Sequence, residues 1–203
     1  MIHYRENWLT SEDFAKAKNT LQKGDVVLVG SLRRASHLFI NAPLTHTMYY
    51  TGNHEFIHAI GDGVEEATLE DVFTEYDTML ILRLKSKHQR AIPQMLKYIK
   101  QQVGKPYDFD FAYKNDDSFY CSALIHRALE EAGLDPRHFE KKNKKARLRP
   151  NTIHPMNFIG TEFKTIFKSH NLAKENNKIV LIPGYKESRL ARLIPAAQTI
   201  FNR

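Results

Sequence analysis

The stretch GKPYDFDFAYKNDDSFYCSALIHRALEEAG, residues 104–133, decides how this chain is read. It carries the only cysteine, Cys121, at the start of a helical pattern. Leu124, Ile125, Ala128 and Leu129 follow at helical spacing and form one apolar stripe. Gly133 closes the segment, as glycine does where a chain leaves a helix. A helix start presents unpaired N–H groups and a positive dipole end, and both stabilise a thiolate. One cysteine cannot make an internal disulfide. On position alone a buried structural thiol is the simpler reading, because free cysteine is among the most buried residue types. The histidines upstream shift that balance.

Working back from the cysteine, residues 88–103 form a helical pattern with Ile92, Leu96, Ile99 and Val103 on one face. Pro93 falls in its first turn, where a missing N–H matters little. Gly104 and Pro106 end it. TMLILRL at 78–84 and VVLVG at 26–30 read as strands, the latter buried on both faces. Residues 68–76 read as a short helix capped by Thr68, and 11–22 as a helix capped by Ser11. Between them THTMYYTGNHEFIHAIGDG, 45–63, reads as a β-hairpin turning at Thr51-Gly52-Asn53. Downstream, KIVLIPG at 178–184 reads as a last strand, and 186–201 as a weakly amphipathic tail interrupted by Pro195. No repeat or Gly/Ser/Pro-rich linker appears. The expectation is a single α+β domain over 1–203, with a core at about 24–135 and an extension at about 150–203.

A cysteine nucleophile needs a base in reach, and the base needs a third group to orient it. The chain has ten histidines. His3, His88, His138, His154 and His170 lie in polar stretches and read as solvated. His126 lies within the cysteine helix and is compatible with either face, and His37 follows a basic segment. His46 and His58 are better placed, one on each strand of the hairpin. A buried imidazole must find a polar partner. Register decides whether these two meet. A three- or five-residue loop centred on Gly52 sets His46 directly opposite His58, whereas a two-residue Gly52-Asn53 loop puts them on opposite faces. Otherwise they are a pair of structural histidines, or one faces solvent and the other is buried. No HExxH pattern or zinc-ligand spacing occurs, so no metal and no cofactor is expected.

Composition sets the frame. The 203 residues are 42% hydrophobic and 26% charged, ordinary for a globular chain. No apolar run approaches a membrane span. The polar start carries no secretory signal, and with the lone thiol this gives a cytoplasmic expectation. Net charge is +7 and the pI about 9.4. Much of the excess lies in Lys141, Lys142, Lys144, Lys145, Arg147 and Arg149. That cluster reads as a solvated loop, or as a contact for an anionic surface. No nucleic-acid motif accompanies it, so nucleic acid is not an expected partner.

The order of these motifs resembles the circularly permuted NlpC-type papain-like hydrolases, the YiiX-like group. In ordinary NlpC-type proteins a G-x-P-Y stretch precedes a D-C-S-G-L helix start, and the histidine strands come later. Here Gly104-Lys105-Pro106-Tyr107 and Tyr120-Cys121-Ser122-Ala123-Leu124 match the first part, and the histidine hairpin precedes them. The resemblance covers roughly 24–135, with weaker echoes at Ile153-His154-Pro155. It implies a papain-like core in which the cysteine helix packs on a small antiparallel sheet or barrel. It also implies Cys121 as nucleophile, His46 as general base and His58 as the residue orienting it. Tyr107 is implied to line the site and help bind the oxyanion, and Tyr120 stands where the aspartate of D-C-S would be. Many permuted members carry Glu in place of His58. A neutral His58 supplies no negative charge, so it implies weaker stabilisation of a His46 imidazolium. The implied activity is hydrolysis of a peptide or isopeptide amide, as in cell-wall peptides. The related lecithin retinol acyltransferase-like proteins imply the alternatives of a lipid acyl ester or amide. A binding module that keeps the fold without the chemistry is a further reading.

Overall fold

The computed structural model describes residues 8–31, 42–111, 117–139, 152–176 and 178–183. His3, His37, the basic cluster Lys141–Arg149 and the tail 186–201 lie outside the described residues.

Helix α1 (Ser11–Thr20) leads into β1 (Val26–Gly30). Strands β2 (His46–Gly52), β3 (Glu55–Ile60) and β4 (Gly63–Thr68) form a meander that runs into α2 (Leu69–Glu75) and β5 (Thr78–Leu84). A 3-10 turn at Ser86–Ala91 precedes α3 (Ile92–Gln101), which has Pro93 in its first turn as expected. The cysteine helix is α4 (Cys121–Glu131). Two 3-10 turns, Pro136–His138 and Pro155–Phe158, lead to β6 (Phe163–Lys168), β7 (Leu172–Glu175) and β8 (Lys178–Leu181). Six strands make one antiparallel sheet in the order β4-β3-β2-β1-β5-β6, and β7-β8 stands as a separate pair.

Alternation of side chains gives each strand two faces. Val26, Leu28, Tyr49, Ile57, Ala59 and Leu80 pack with Met95, Ile99, Leu124 and Leu129 of α3 and α4. Val27, Val29, Met48, Phe56 and Ile81 pack with α1 and α2 through Ala17, Leu69, Val72 and Tyr76. All five residues of β1 are buried, as a strand covered on both sides requires. Each large side chain withdrawn from water this way contributes about 1.5–3 kcal/mol.

Three expectations are corrected. The cap of α1 is Thr10, not Ser11. Thr10 accepts from the Asp13 N–H while the Asp13 carboxylate accepts from the Thr10 N–H, a reciprocal box. The strand β6 was not foreseen, because its FKTIFK sequence is mostly exposed and lysine-rich, as suits an edge strand. The hairpin turns at Asn53-His54, both with positive φ, between the paired residues Gly52 and Glu55. The register shifts between Tyr50 and Gly52, so a bulge restores the parity that a two-residue loop at Gly52-Asn53 would have broken. Thr68 caps α2 as expected, boxed with Asp71.

Gly63 ties the hairpin to the segment ahead of the cysteine. Its φ is +122°, and a Cβ there would lie 2.6 Å from the Lys105 carbonyl oxygen. That oxygen accepts from Val64 N–H at 2.8 Å, and Gly104 N–H donates to the Val64 carbonyl at 2.8 Å. Gly63→Ala is expected to lower stability by about 2 kcal/mol or more, from left-handed strain and a backbone clash. Because it pushes on Lys105-Pro106, it should also displace Tyr107. Thermal unfolding and turnover measured on the same variant check both effects.

Candidate active site

Cys121 occupies the first position of α4 and is 8% exposed. Tyr120 caps the helix without a side-chain hydrogen bond, and the first turn holds no acidic residue. The early N–H groups and the dipole end are therefore left for another acceptor. The sulfur lies 3.8 Å from Ser122 Oγ. Burial pushes the Cys121 thiol up, and the opposing pulls of Thr47 and Ser122 do not offset it. The helix start favours a thiolate. Desolvation opposes that pull and favours the neutral thiol.

The two histidines come together. His46 Nε2 and His58 Nδ1 are 2.9 Å apart, with rings in edge contact at 5.1 Å. They are not directly opposite, as expected from sequence. His58 pairs with Met48, so His46 is its diagonal neighbour on the same face. That face is the one covered by α2, where His46 stacks on Tyr76 at 5.8 Å with an interplanar angle of 3°. Thr47, the next residue along, turns to the α4 side and bears on the Cys121 sulfur. Thiol and imidazoles thus belong to opposite faces of the sheet. They approach at its rim, where β2 begins, and there Cys121 and His46 line one cavity of about 260 Å³.

The segment before α4 builds the cavity wall. Tyr107 bridges to Phe119, Phe119 N–H donates to the Pro106 carbonyl at 3.1 Å, and Asp108 N–H donates to the Phe119 carbonyl at 3.2 Å. This lashes GKPY to the residues just ahead of Cys121. Burial, with Cys121, Asp108 and Tyr120 nearby, pushes the Tyr107 hydroxyl well up, so it stays a donor. Tyr120 also lines the cavity, and its hydroxyl accepts from Ile153 N–H at 3.1 Å. No Asp, Glu, Lys or Arg lines the cavity among the described residues.

His154 is the residue that sequence reasoning missed. Its polar sequence surroundings predict a solvated ring, yet it lines the same cavity. Its Nδ1 accepts from Met156 N–H at 3.1 Å, capping the 3-10 turn at Pro155–Phe158. The proton of the neutral ring is therefore on Nε2. Burial lowers its pKa to about 4. The signal available in sequence was His-Pro, since a residue before proline is extended and the proline opens a turn. Two other histidines with polar sequence surroundings, His88 and His170, pair with acids of the scaffold. His88 meets Glu162 at 3.0 Å and His170 meets Asp13 at 2.6 Å.

His126 is 5% exposed within α4, and burial lowers its pKa to about 4. An unfolded histidine titrates at 6.5, so the unfolded chain gains protons first as the pH drops. Stability should therefore be full above about 6.5 and fall as the pH drops towards about 4. The His126 part of that loss is on the order of 3 kcal/mol. Thermal unfolding at neutral and acid pH should show a shallower acid loss in His126→Gln; an equal loss in both proteins contradicts the assignment.

A six-stranded antiparallel sheet covered by a helix that opens on cysteine, with a histidine hairpin earlier in the chain, is a permuted papain-like architecture. The sequence matches the permuted papain-like amidase enzymes, the YaeF/YiiX or C92 family, over residues 20–177, and the chain belongs to that family. It is accordingly an enzyme of the cysteine hydrolase and amidase kind. A crystal structure of the metalloprotein YiiX from Escherichia coli O157:H7 is similar in fold. The TM-score is 0.57 at 20% identity, over 74% of this chain and 98% of that one. No curated protein matches the sequence. Among the described residues of this chain, no group of three or more His, Cys, Asp or Glu side chains is placed to hold a metal ion. His46 and His58 are turned on each other. The described residues do not form a donor set for an ion such as that relative's description implies.

Proposed function

We propose that this amidase is a thiol hydrolase in which Cys121 is the nucleophile, His46 the general base and His58 its orienting partner. The observation that carries the reading is the 2.9 Å bond to His58 from His46, which lines the same cavity as Cys121. With Nε2 turned to His58, Nδ1 is the ring nitrogen assigned here to meet the thiol. His46 Nδ1 takes the Cys121 proton as sulfur attacks the carbonyl carbon. The oxyanion is received by the Cys121 N–H at the uncapped helix start and by the Tyr107 hydroxyl. As the C–N bond breaks, His46 returns the proton to the leaving amine. Water, deprotonated by His46, then attacks the acyl carbon, and the thiol is regenerated with release of the acid. Burial, which disfavours the thiolate, fits this order of events better than it fits a standing ion pair.

The substrate proposed is a peptide or isopeptide amide, cell-wall peptides being the example that the resemblance offers. A second reading, a lipid acyl ester or amide, is favoured by the uncharged, aromatic cavity lining. Phe109, 70% exposed and packed on Tyr107, adds to it. Hydrolysis assays on a peptide amide and on an acyl lipid, with Cys121→Ala as the blank, separate the two. Cleavage of the lipid alone, with salt-sensitive sedimentation on anionic vesicles, would replace the peptide reading. An anionic surface contact through Lys141, Lys142, Lys144, Lys145, Arg147 and Arg149 is part of that second reading.

A further inference from the structure

The hydrogen bond between the histidines fixes more than their spacing. In a bonded imidazole pair one ring donates and the other accepts. His46 acts as base through Nδ1 only if its own proton is on Nε2. Nε2–H then donates to His58 Nδ1 across the 2.9 Å contact. His58 Nδ1 is thereby an acceptor, so the His58 proton must be on Nε2. The reverse tautomers place a proton on His46 Nδ1 and leave no base facing the thiol. Something must favour the productive pair.

His58 Nε2 lies 3.5 Å from Glu65 Oε1, at ion-pair rather than short hydrogen-bond distance. Glu65 sits directly across from His58 in the β3–β4 register and so shares its face. Its side chain is 47% exposed, which leaves it free to close the remaining gap. An ionised carboxylate only accepts, so it selects Nε2–H on His58. We propose that Glu65 is a positioning residue for this site. It holds the His58 tautomer that makes His46 a base, and it supplies the negative charge that a pair of neutral imidazoles lacks. The inference rests on the roles given above to Cys121 and His46.

The surroundings agree. Asp71 of α2 is held below its ordinary value chiefly by its bonds to Thr68, and also senses His58. Burial raises Glu65, and Asp62, Glu75 and Asp71 add to the rise. Tyr76 covers His46 from the end of α2. Among the described residues, the groups shown to interact with His58 are His46 on β2, Glu65 on β4 and Asp71 of α2, and the two acids bring negative charge. The charge reaches His46 through a bonded ring, not by direct contact.

Alkylation of Cys121 by iodoacetamide across pH tests the proposal without a known substrate. Glu65→Gln keeps an acceptor oxygen and removes the charge. It is expected to slow alkylation at neutral pH about 3-fold and to move the acid limb of the profile to lower pH by about half a unit. Glu65→Ala is expected to slow it about 10-fold, with Glu65→Asp recovering part of the loss. Thermal unfolding should stay near the wild type, since Glu65 is half exposed. If Glu65→Ala alkylates with the wild-type rate and acid limb while His46→Ala is slow, the role of Glu65 is overturned and the proposed base survives. If His46→Ala also alkylates like the wild type, both fall.

Discussion

Cys121→Ala is expected to cut amide turnover by at least about ten-thousandfold while the protein stays folded. The loss is that large because the chemistry has no second nucleophile: the chain holds no other cysteine. Ser122, although near the sulfur, is completely buried. Removing one member of a nucleophile–base set costs nearly as much as removing all of them, so His46→Ala should approach the same floor. The stability cost is small. Deleting one buried sulfur leaves a cavity no larger than a methyl group or two, worth about 1 kcal/mol. Turnover assays and thermal unfolding on the two variants check this. Undiminished turnover in Cys121→Ala would remove the sulfur from the reaction.

Gly30→Ala is expected to have the largest effect on folding of any single methyl group added here. Gly30 ends β1, and a Cβ would stand 2.1 Å from the Pro43 carbonyl oxygen and 2.7 Å from Thr78 Oγ1. Thr78 Oγ1 in turn donates to that same Pro43 carbonyl at 2.6 Å. Neither obstacle is the far end of a flexible side chain. Relief requires the main chain at Pro43 to move, and the residues that follow, Leu44 and Thr45, deliver His46 to the start of β2. A loss of about 3 kcal/mol or more is expected from overpacking against backbone, or roughly 6–12 °C in Tm for a chain of this size. Gly133→Ala is the comparison. Gly133 has φ +74° and nothing within 4 Å of an added Cβ, so only the left-handed penalty of about 1–2 kcal/mol applies. Equal losses in the two variants would show that the close approach at Pro43 does not hold. Whatever Gly30→Ala protein folds should also have a misplaced His46 and slow turnover.

These two sites show what was legible in the sequence. The apolar stripe of α4 and the unbroken run of β1 were plain, because burial on one helical face or on both strand faces writes itself into residue type. The capping box of α2 was half read through Thr68, and Asp71 completes it. The same T-x-x-D pattern at Thr10 was present but was assigned one residue late, since Ser11 is also a good cap. The hairpin register was not legible. It turns on a bulge between Tyr50 and Gly52, and Thr51 carries no local mark of being the extra residue. What could be stated was the condition, that both histidines share a face, and the bulge satisfies it by a diagonal and not a direct pairing. The opposite-face approach of sulfur and imidazole was also beyond reach. It depends on where two elements meet at the sheet rim, a long-range matter with no periodic signature. His154 and Glu65 were hidden for a similar reason. One acts as a cap that opens into a cavity, the other as a cross-strand neighbour whose partner is known only once β3 and β4 are in register.

The rate at which iodoacetamide alkylates Cys121 at pH 7, in the wild type and in His46→Ala, tests most directly whether imidazole and sulfur act together. The account predicts that the wild type reacts at neutral pH although burial disfavours its thiolate. The variant should react tens of times more slowly, recovering only as the pH climbs past the ordinary thiol range. Matching rates and matching pH profiles in the two proteins would contradict it.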